Sequence, residues 1–430
     1  MNFTRKLIGI PLPGVTLQSS GLVILFALVH TVSDAVTNML SALLPTLQSR
    51  FGLSETVLAL LVATLSFSAL VTQPLFGALA DRLGNRRIAA LGVMFNAILF
   101  SLIGIIPSIH LLFGLILVGG LASSALHPAI ASMARQVGGK KPEVAVGLFS
   151  AGGTLGIAIG PIIIMVLLAN LGLSFTPWLM IPGILFGVML FMLPSEETQL
   201  PARDRTRFFD YGLLAGPVGL LALTGILSNV AFVTFMSGMP LWLVREHHLE
   251  SNSTLIGWTL SAFSLAAAFG GIIGGLVSNK FGAKRLIVGS LLLALLPLYS
   301  IFFLTPGSPA YFAMVLFAGA LVNAGMPILI VSAQDHAPKA AATAAGMLMG
   351  FSAGVAGLVY VGIGRLQESL GLTPAIMMGY LALIVGAVLA LVAIKRHTYD
   401  EDSPVDASSC LCSPCIDQNI VVYPKRIQEG

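Results

Sequence analysis

The sequence predicts an all-α integral membrane protein of twelve transmembrane helices, arranged as two pseudo-symmetric six-helix bundles. Three observations carry that expectation. Of 430 residues, 56% are hydrophobic and 9% are charged; soluble chains carry about 25% charged residues, so most of this chain is unfit to face water. The apolar residues gather into twelve runs of the length, about 20 residues, that a bilayer core demands. The second six runs repeat the landmarks of the first six.

In chain order the runs cover approximately 20–44, 56–80, 87–106, 110–134, 144–170 and 175–194, then 211–243, 254–278, 285–304, 309–334, 340–364 and 373–395. The first is too long and too polar for a cleavable signal and has no small-residue cleavage site. Between the sixth and seventh lies the one internal shift of composition, with Glu196, Glu197, Arg203, Asp204, Arg205 and Arg207. The expected organisation is therefore an N-terminal bundle (1–194), a cytoplasmic link (195–210), a C-terminal bundle (211–396) and a disordered cytoplasmic tail (397–430). Lysines and arginines crowd one set of loops, including Arg82, Arg86, Arg87, Arg135, Lys140, Lys141, Lys280, Lys284 and Arg285. The other set holds Arg50, Arg245 and Arg365. Positive charge stays on the cytoplasmic side, which places both termini there. The net charge of +4 is confined to short loops and argues against a nucleic-acid partner.

The repeat runs at an offset of 195–199 residues. Pro45, read as ending the first helix, matches Pro240, read as ending the seventh. Gly77 and Gly84 match Gly275 and Gly282, Pro128 matches Pro327, and Gly147 matches Gly346. Duplicated bundles of this kind build alternating-access transporters, whose solute site lies at the midplane between the repeats. A Walker A loop, which an ATP-driven pump needs, is absent from the sequence. An enzyme is not expected either, and no cofactor.

The turn after the second run reads Gly77-Ala-Leu-Ala-Asp81-Arg82-Leu-Gly84-Asn-Arg86-Arg87. Gly77 lets neighbouring helices approach closely. Asp81 is suited to cap a helix or pair with an arginine, so Gly77, Asp81, Arg82, Gly84, Arg86 and Arg87 together form a candidate conformational latch. The second copy carries Asn279 where the first carries Asp81. The fifth run holds Gly152, Gly156, Gly160 and Pro161 at the small-residue spacing that permits tight helix packing.

The first run holds His30, Asp34 and Asn38 at four-residue spacing, hence on one helix face. Asp34 is the single acidic residue deep in a predicted span. A charge there is expensive, so it should face the bundle interior with a partner, for which His30 is the candidate. The pair can take up and release a proton as the cavity changes sides. His127, beside Pro128 in the fourth run, is a candidate to face the same cavity, as are Asn38 and Asn229. The titratable groups map onto Gly225, Asn229 and Met326 in the second half, so the charge is confined to the first.

The turn at 77–87 resembles the signature of the major facilitator superfamily, and the glycine–proline pattern of the fifth run resembles that of its proton-linked drug antiporters. Taken with His30-x3-Asp34, Ser123-Ser124-x-x-His127-Pro128, Leu148-Phe149-x-x-Gly152-Gly153 and Ala333-Gln334-Asp335, the chain up to about Arg396 is similar to the fosmidomycin resistance branch. The resemblance implies a monomeric, proton-coupled secondary transporter in a bacterial inner membrane. Its cargo would be a small, possibly anionic, drug or metabolite, exported by alternating access. The arginine expected in the fourth helix of drug antiporters is missing, with Leu115 and Ile116 near its place. A rival reading within transport is uptake or intracellular distribution of a nutrient or metal ion. Its sole support is the run Cys410-Leu-Cys412-Ser-Pro-Cys415, weak candidates for a soft-metal site that lacks a fourth ligand.

Overall fold

A computed structural model describes residues 17–139, 142–193, 216–337 and 341–393. The side chains of Asp81 and Asn279 fall outside that description, as do the central link and the thiol-bearing tail. The described residues all belong to one compact unit. Among the described residues the regular structure is entirely helical.

The first bundle comprises α1 (Leu17–Phe51), α2 (55–83), α3 (Asn85–Ser101), α4 (Ile109–Val137), α5 (Pro142–Asn170) and α6 (Met180–Phe191). The second comprises α7 (Pro217–Arg245), α8 (Thr254–Phe281), α9 (Ala283–Ser300), α10 (Pro309–His336), α11 (341–370) and α12 (372–393). By length and composition, eleven of these spans are long and apolar enough to cross a bilayer, once short 3-10 turns at their ends are included. The twelfth, α2, is broken by a π-helical turn at Phe67–Val71. A second π turn, at Met347–Phe351, interrupts α11 where it packs on α2. Serine hydroxyls cap corresponding helices of the repeat: Ser108 accepts from the Leu111 amide at the start of α4, and Ser308 from Tyr311 at the start of α10.

Two boundaries differ from the sequence expectation. Pro45 and Pro240 lie inside α1 and α7, which run on to Phe51 and Arg245. A proline removes one amide donor, but Leu43, Leu44 and Leu47 around Pro45 are buried in the core, and that packing carries the helix through. The basic residues of the repeated turn also have matched partners. Arg86 donates to the carbonyl of Leu193 beyond α6, and Lys284 to that of Leu391 near the end of α12, at 2.5 Å in the second case. Each places a cation at the negative end of the last helix of its own bundle.

The apolar interior divides unequally. One large core runs through both bundles and includes Leu43, Leu47 and Leu58 from the first with Met239, Trp242 and Tyr360 from the second. A smaller core, including Phe26, Val29, Val93, Leu126, Ile130 and Phe149, draws on the first bundle alone. The halves are therefore fused near the α1–α2 connection and separate toward the other end. Polar contacts between the bundles agree, and they include three at the fused face. Glu55 pairs with Arg245, Thr46 donates to the Ser251 carbonyl at 3.1 Å, and the Thr56 amide donates to Glu368 at 2.9 Å.

Arg245 is half exposed, and such pairs contribute about 0–1 kcal/mol. Replacing Glu55 or Arg245 by alanine should therefore loosen this face by up to about fivefold in population. Spin labels at Ser49 and Glu250 would report a broader, longer distance distribution in either variant, reversed when the charges are exchanged. An unchanged distribution in both single variants would show that the pair does not hold the face closed.

Candidate functional site

Three elements converge on one carboxylate. On α1, His30 and Asp34 are one turn apart, and Nε2 of His30 lies 3.2 Å from Oδ2 of Asp34. From α4, Nε2 of His127 lies 3.1 Å from Oδ1 of the same residue. The two imidazoles stand edge to face with centroids 4.8 Å apart. Asp34 is thus clamped, one imidazole to each oxygen.

Both rings are held from behind. Nδ1 of His30 lies 2.8 Å from the carbonyl oxygen of Phe149 on α5, and Nδ1 of His127 lies 2.7 Å from that of Ser123. A carbonyl oxygen only accepts, so each Nδ1 carries its hydrogen and donates. Each Nε2 is therefore the atom left to face Asp34. His30 is also stacked on the Phe149 ring at 4.1 Å. The carboxylate keeps 13% of its side-chain exposure and His127 keeps 20%, so the cluster is enclosed but not sealed from water.

The local sequence explains the fit. A Cβ on Gly152, Gly156 or Gly160 would collide with the backbone of α1 at Ala27, Thr31 and Ala35, and one on Gly153 with the ring of His30. The fifth-helix glycines thus let α5 lie directly against the turn that carries His30 and Asp34, and Thr31 seals the contact by donating to the Gly152 carbonyl at 2.8 Å. On α4, Pro128 follows His127 inside the helix, and Gly77 of α2 faces it, with room for a Cβ only 3.5 Å from the proline. A polar layer flanks the cluster: Asn96 of α3 donates to Thr37 at 2.9 Å, and Thr72 of α2 donates to Ser124 at 2.8 Å.

The second bundle keeps the volume and drops the chemistry. Gly225, the counterpart of His30, faces Leu348 and Ser352 of α11. Bulk sits on α1 in one half and on α11 in the other, with glycine opposite in each case. Asn229 and Asn38 each donate an amide hydrogen to the carbonyl four residues back, at 3.0 and 2.9 Å, and both are half-buried.

The structure therefore brings His30, Asp34 and His127 together, with Asn38 one turn beyond. Of the turn after α2, Arg82 and Arg87 are exposed, and Arg86 is engaged within its own bundle. Sequence reasoning missed the carbonyls of Phe149 and Ser123, which carry no sequence signal, and the Glu55–Arg245 pair. A glutamate directly after the capping Ser54 was the available hint for the latter.

Comparison with known proteins gives a consistent picture. The family model for the Major Facilitator Superfamily matches residues 26–361. The fosmidomycin resistance protein of Escherichia coli (strain K12) is 24% identical over 362 residues, covering 81% of this chain and 87% of that protein. The class C tetracycline resistance protein of Escherichia coli is 25% identical, covering 78% and 85%. Among solved structures, a bacterial homologue of the human lysosomal transporter Spinster, in an inward-facing, unoccupied conformation, superposes with a TM-score of 0.72 at 18% identity. It covers 87% of this chain and 96% of that one. The nucleoside transporter NupG superposes at 0.70 with 14% identity, covering 87% and 99%.

Glycine contacts on α5 give a paired test. Gly156→Ala would press on the Thr31 carbonyl and the Asp34 side chain, at a cost of about 1–3 kcal/mol. Gly147→Ala meets nothing within 4 Å and should be neutral or stabilising by up to about 1 kcal/mol, as alanine is in a helix. Thermal unfolding in detergent should therefore separate the two variants, with only Gly156→Ala lowering the midpoint.

Proposed function

This chain belongs to the Major Facilitator Superfamily, a family of membrane transporters rather than enzymes, and we propose that it is a proton-coupled antiporter exporting a small drug or metabolite. Relatives named for drug resistance support the export reading. The observation that carries the coupling is the Asp34 carboxylate, enclosed within a membrane span with an imidazole on each oxygen. A charge in that position is retained at a cost of about 2.5–3.5 kcal/mol on insertion scales, which marks intramembrane carboxylates as functional by default.

In this reading the basic loops and both termini are cytoplasmic, so the fused face is the outer one and the described state opens inward. Asp34 and His30 load a proton when the cavity faces outward and release it to the cytoplasm when the cavity faces inward. The solute binds inside and leaves outside, between His127, Asn38 and the second-bundle Asn229. The turn at 77–87 acts as the cytoplasmic latch. It closes across the bundles in the opposite state. A single chain with its two bundles is the working unit, and protons, solute and lipid are its partners.

Everted vesicles with an imposed proton gradient test the scheme, using fosmidomycin and tetracycline as first probes because relatives are named for them. Asp34→Asn should reduce gradient-driven accumulation to the level seen with an uncoupler while leaving insertion and unfolding temperature unchanged. Gradient-driven transport at the unmodified rate in that variant would sink the coupling role. His127→Ala should change the apparent solute affinity; unchanged affinity would remove His127 from the solute cavity.

A further inference from the structure

Hydrogen bookkeeping at the cluster leads beyond a single proton site. Each imidazole already commits its Nδ1 hydrogen to a backbone carbonyl. With neutral rings, both Nε2 atoms would direct lone pairs at the oxygens of an ionised Asp34, at 3.2 and 3.1 Å. Lone pairs facing each other at that distance repel; a hydrogen must lie in each contact. Two contacts need two hydrogens. They can sit on both rings beside a carboxylate, or on one ring with the second on the carboxyl oxygen facing the other ring. In either arrangement the three groups sum to a charge of +1.

We propose that His30, Asp34 and His127 form a two-proton store, with His127 carrying the second exchangeable proton. The assignment rests on the proton-coupling reading for its use in transport, but not for its existence. Among the described residues, nothing charged offsets it from the neighbouring helices: α5 presents Phe149, Gly152, Gly153 and Gly156, α3 presents Asn96, and α2 presents Thr72. Among the described residues, the ion-pair partners of Asp34 are the two histidines alone. Full discharge to water on one side takes the cluster from +1 to −1, so two protons move per turnover.

A divalent cation held by the same three side chains is the competing account, since their ligand atoms all lie within 4.8 Å of one another. The pairing pattern favours protons. Each Nε2 addresses a different oxygen of Asp34, which is the geometry of two separate hydrogen bonds rather than of one shared coordination point.

Nitrogen-15 magnetic resonance of histidine-labelled full-length protein in lipid separates these accounts without any solute. At a pH where the cluster is loaded, both His30 and His127, assigned by His30→Gln and His127→Gln variants, should show hydrogen-bonded Nε2 resonances, either protonated or accepting from the Asp34 carboxyl, with no unbonded lone-pair signal. In Asp34→Asn the two should lose their common titration and respond independently. His127→Gln keeps a donor toward Asp34 without an exchangeable proton. Dye-detected proton uptake on acidification should accordingly fall by one proton per chain relative to the unmodified protein. Uptake of only one proton per chain by the unmodified protein on acidification would overturn the proposal, as would unbonded lone-pair Nε2 signals from both rings at that pH. So would one-to-one binding of cobalt(II), abolished in Asp34→Asn, by protein prepared without a tag. Gradient-independent transport by a protein that passes these tests would instead overturn the antiport reading and leave the store standing.

Discussion

The clamp on Asp34 is the constraint to which the first bundle is built. A lone carboxylate inside a bilayer is too costly to hold, and two imidazoles on its oxygens are what make it tolerable. Those rings in turn need anchors, which come from the backbone of α5 at Phe149 and of α4 at Ser123. Three helices are thus tied at one level, α1 to α4 through Asp34 and His127 and α1 to α5 through His30 and Phe149. The second tie forms only because α5 lies against α1 without side chains between, and the row Gly152, Gly156 and Gly160 supplies that.

The position of the clamp along α1 follows from the two apolar cores. The smaller core ends on α1 at Val29 and the shared core begins at Val36. His30 and Asp34 occupy the interval, where the bundles begin to part. A polar group placed deeper in either core would be cut off from water, and one farther toward the parted end would face it permanently. In the second bundle the same interval holds Gly225 and Asn229, which need no anchors, and α11 accordingly carries Leu348 and Ser352 against Gly225 instead of a glycine row against a ring.

Much of this was legible from residues. Spans, repeat and the shared face of His30 and Asp34 follow from hydrophobic length and helical period, which are local properties. That His127 meets them was an expectation from proline and serine neighbours, and the structure places it 3.1 Å from the carboxylate. What stayed hidden depends on the backbone or on other chain segments. Carbonyl anchors leave no residue-type signature, and Pro45 and Pro240 stop a helix in isolation but not where buried leucines hold both sides. The π turns in α2 and α11 were illegible because an extra residue per turn reads as an ordinary apolar run.

The weakness of the lock at the fused face has a thermodynamic meaning. The polar contacts that join the bundles there, above the shared apolar core, include a partly exposed ion pair and single hydrogen bonds from Thr46 and Thr56. A protein that must visit a second arrangement over and over cannot let either resting form lie far below the other, because a gap of about 5.5 kcal/mol already means a ten-thousandfold bias. Near-degeneracy is the condition for a small differential term to choose the direction of the swing. A stronger lock at that face would give a sturdier molecule and a slower machine.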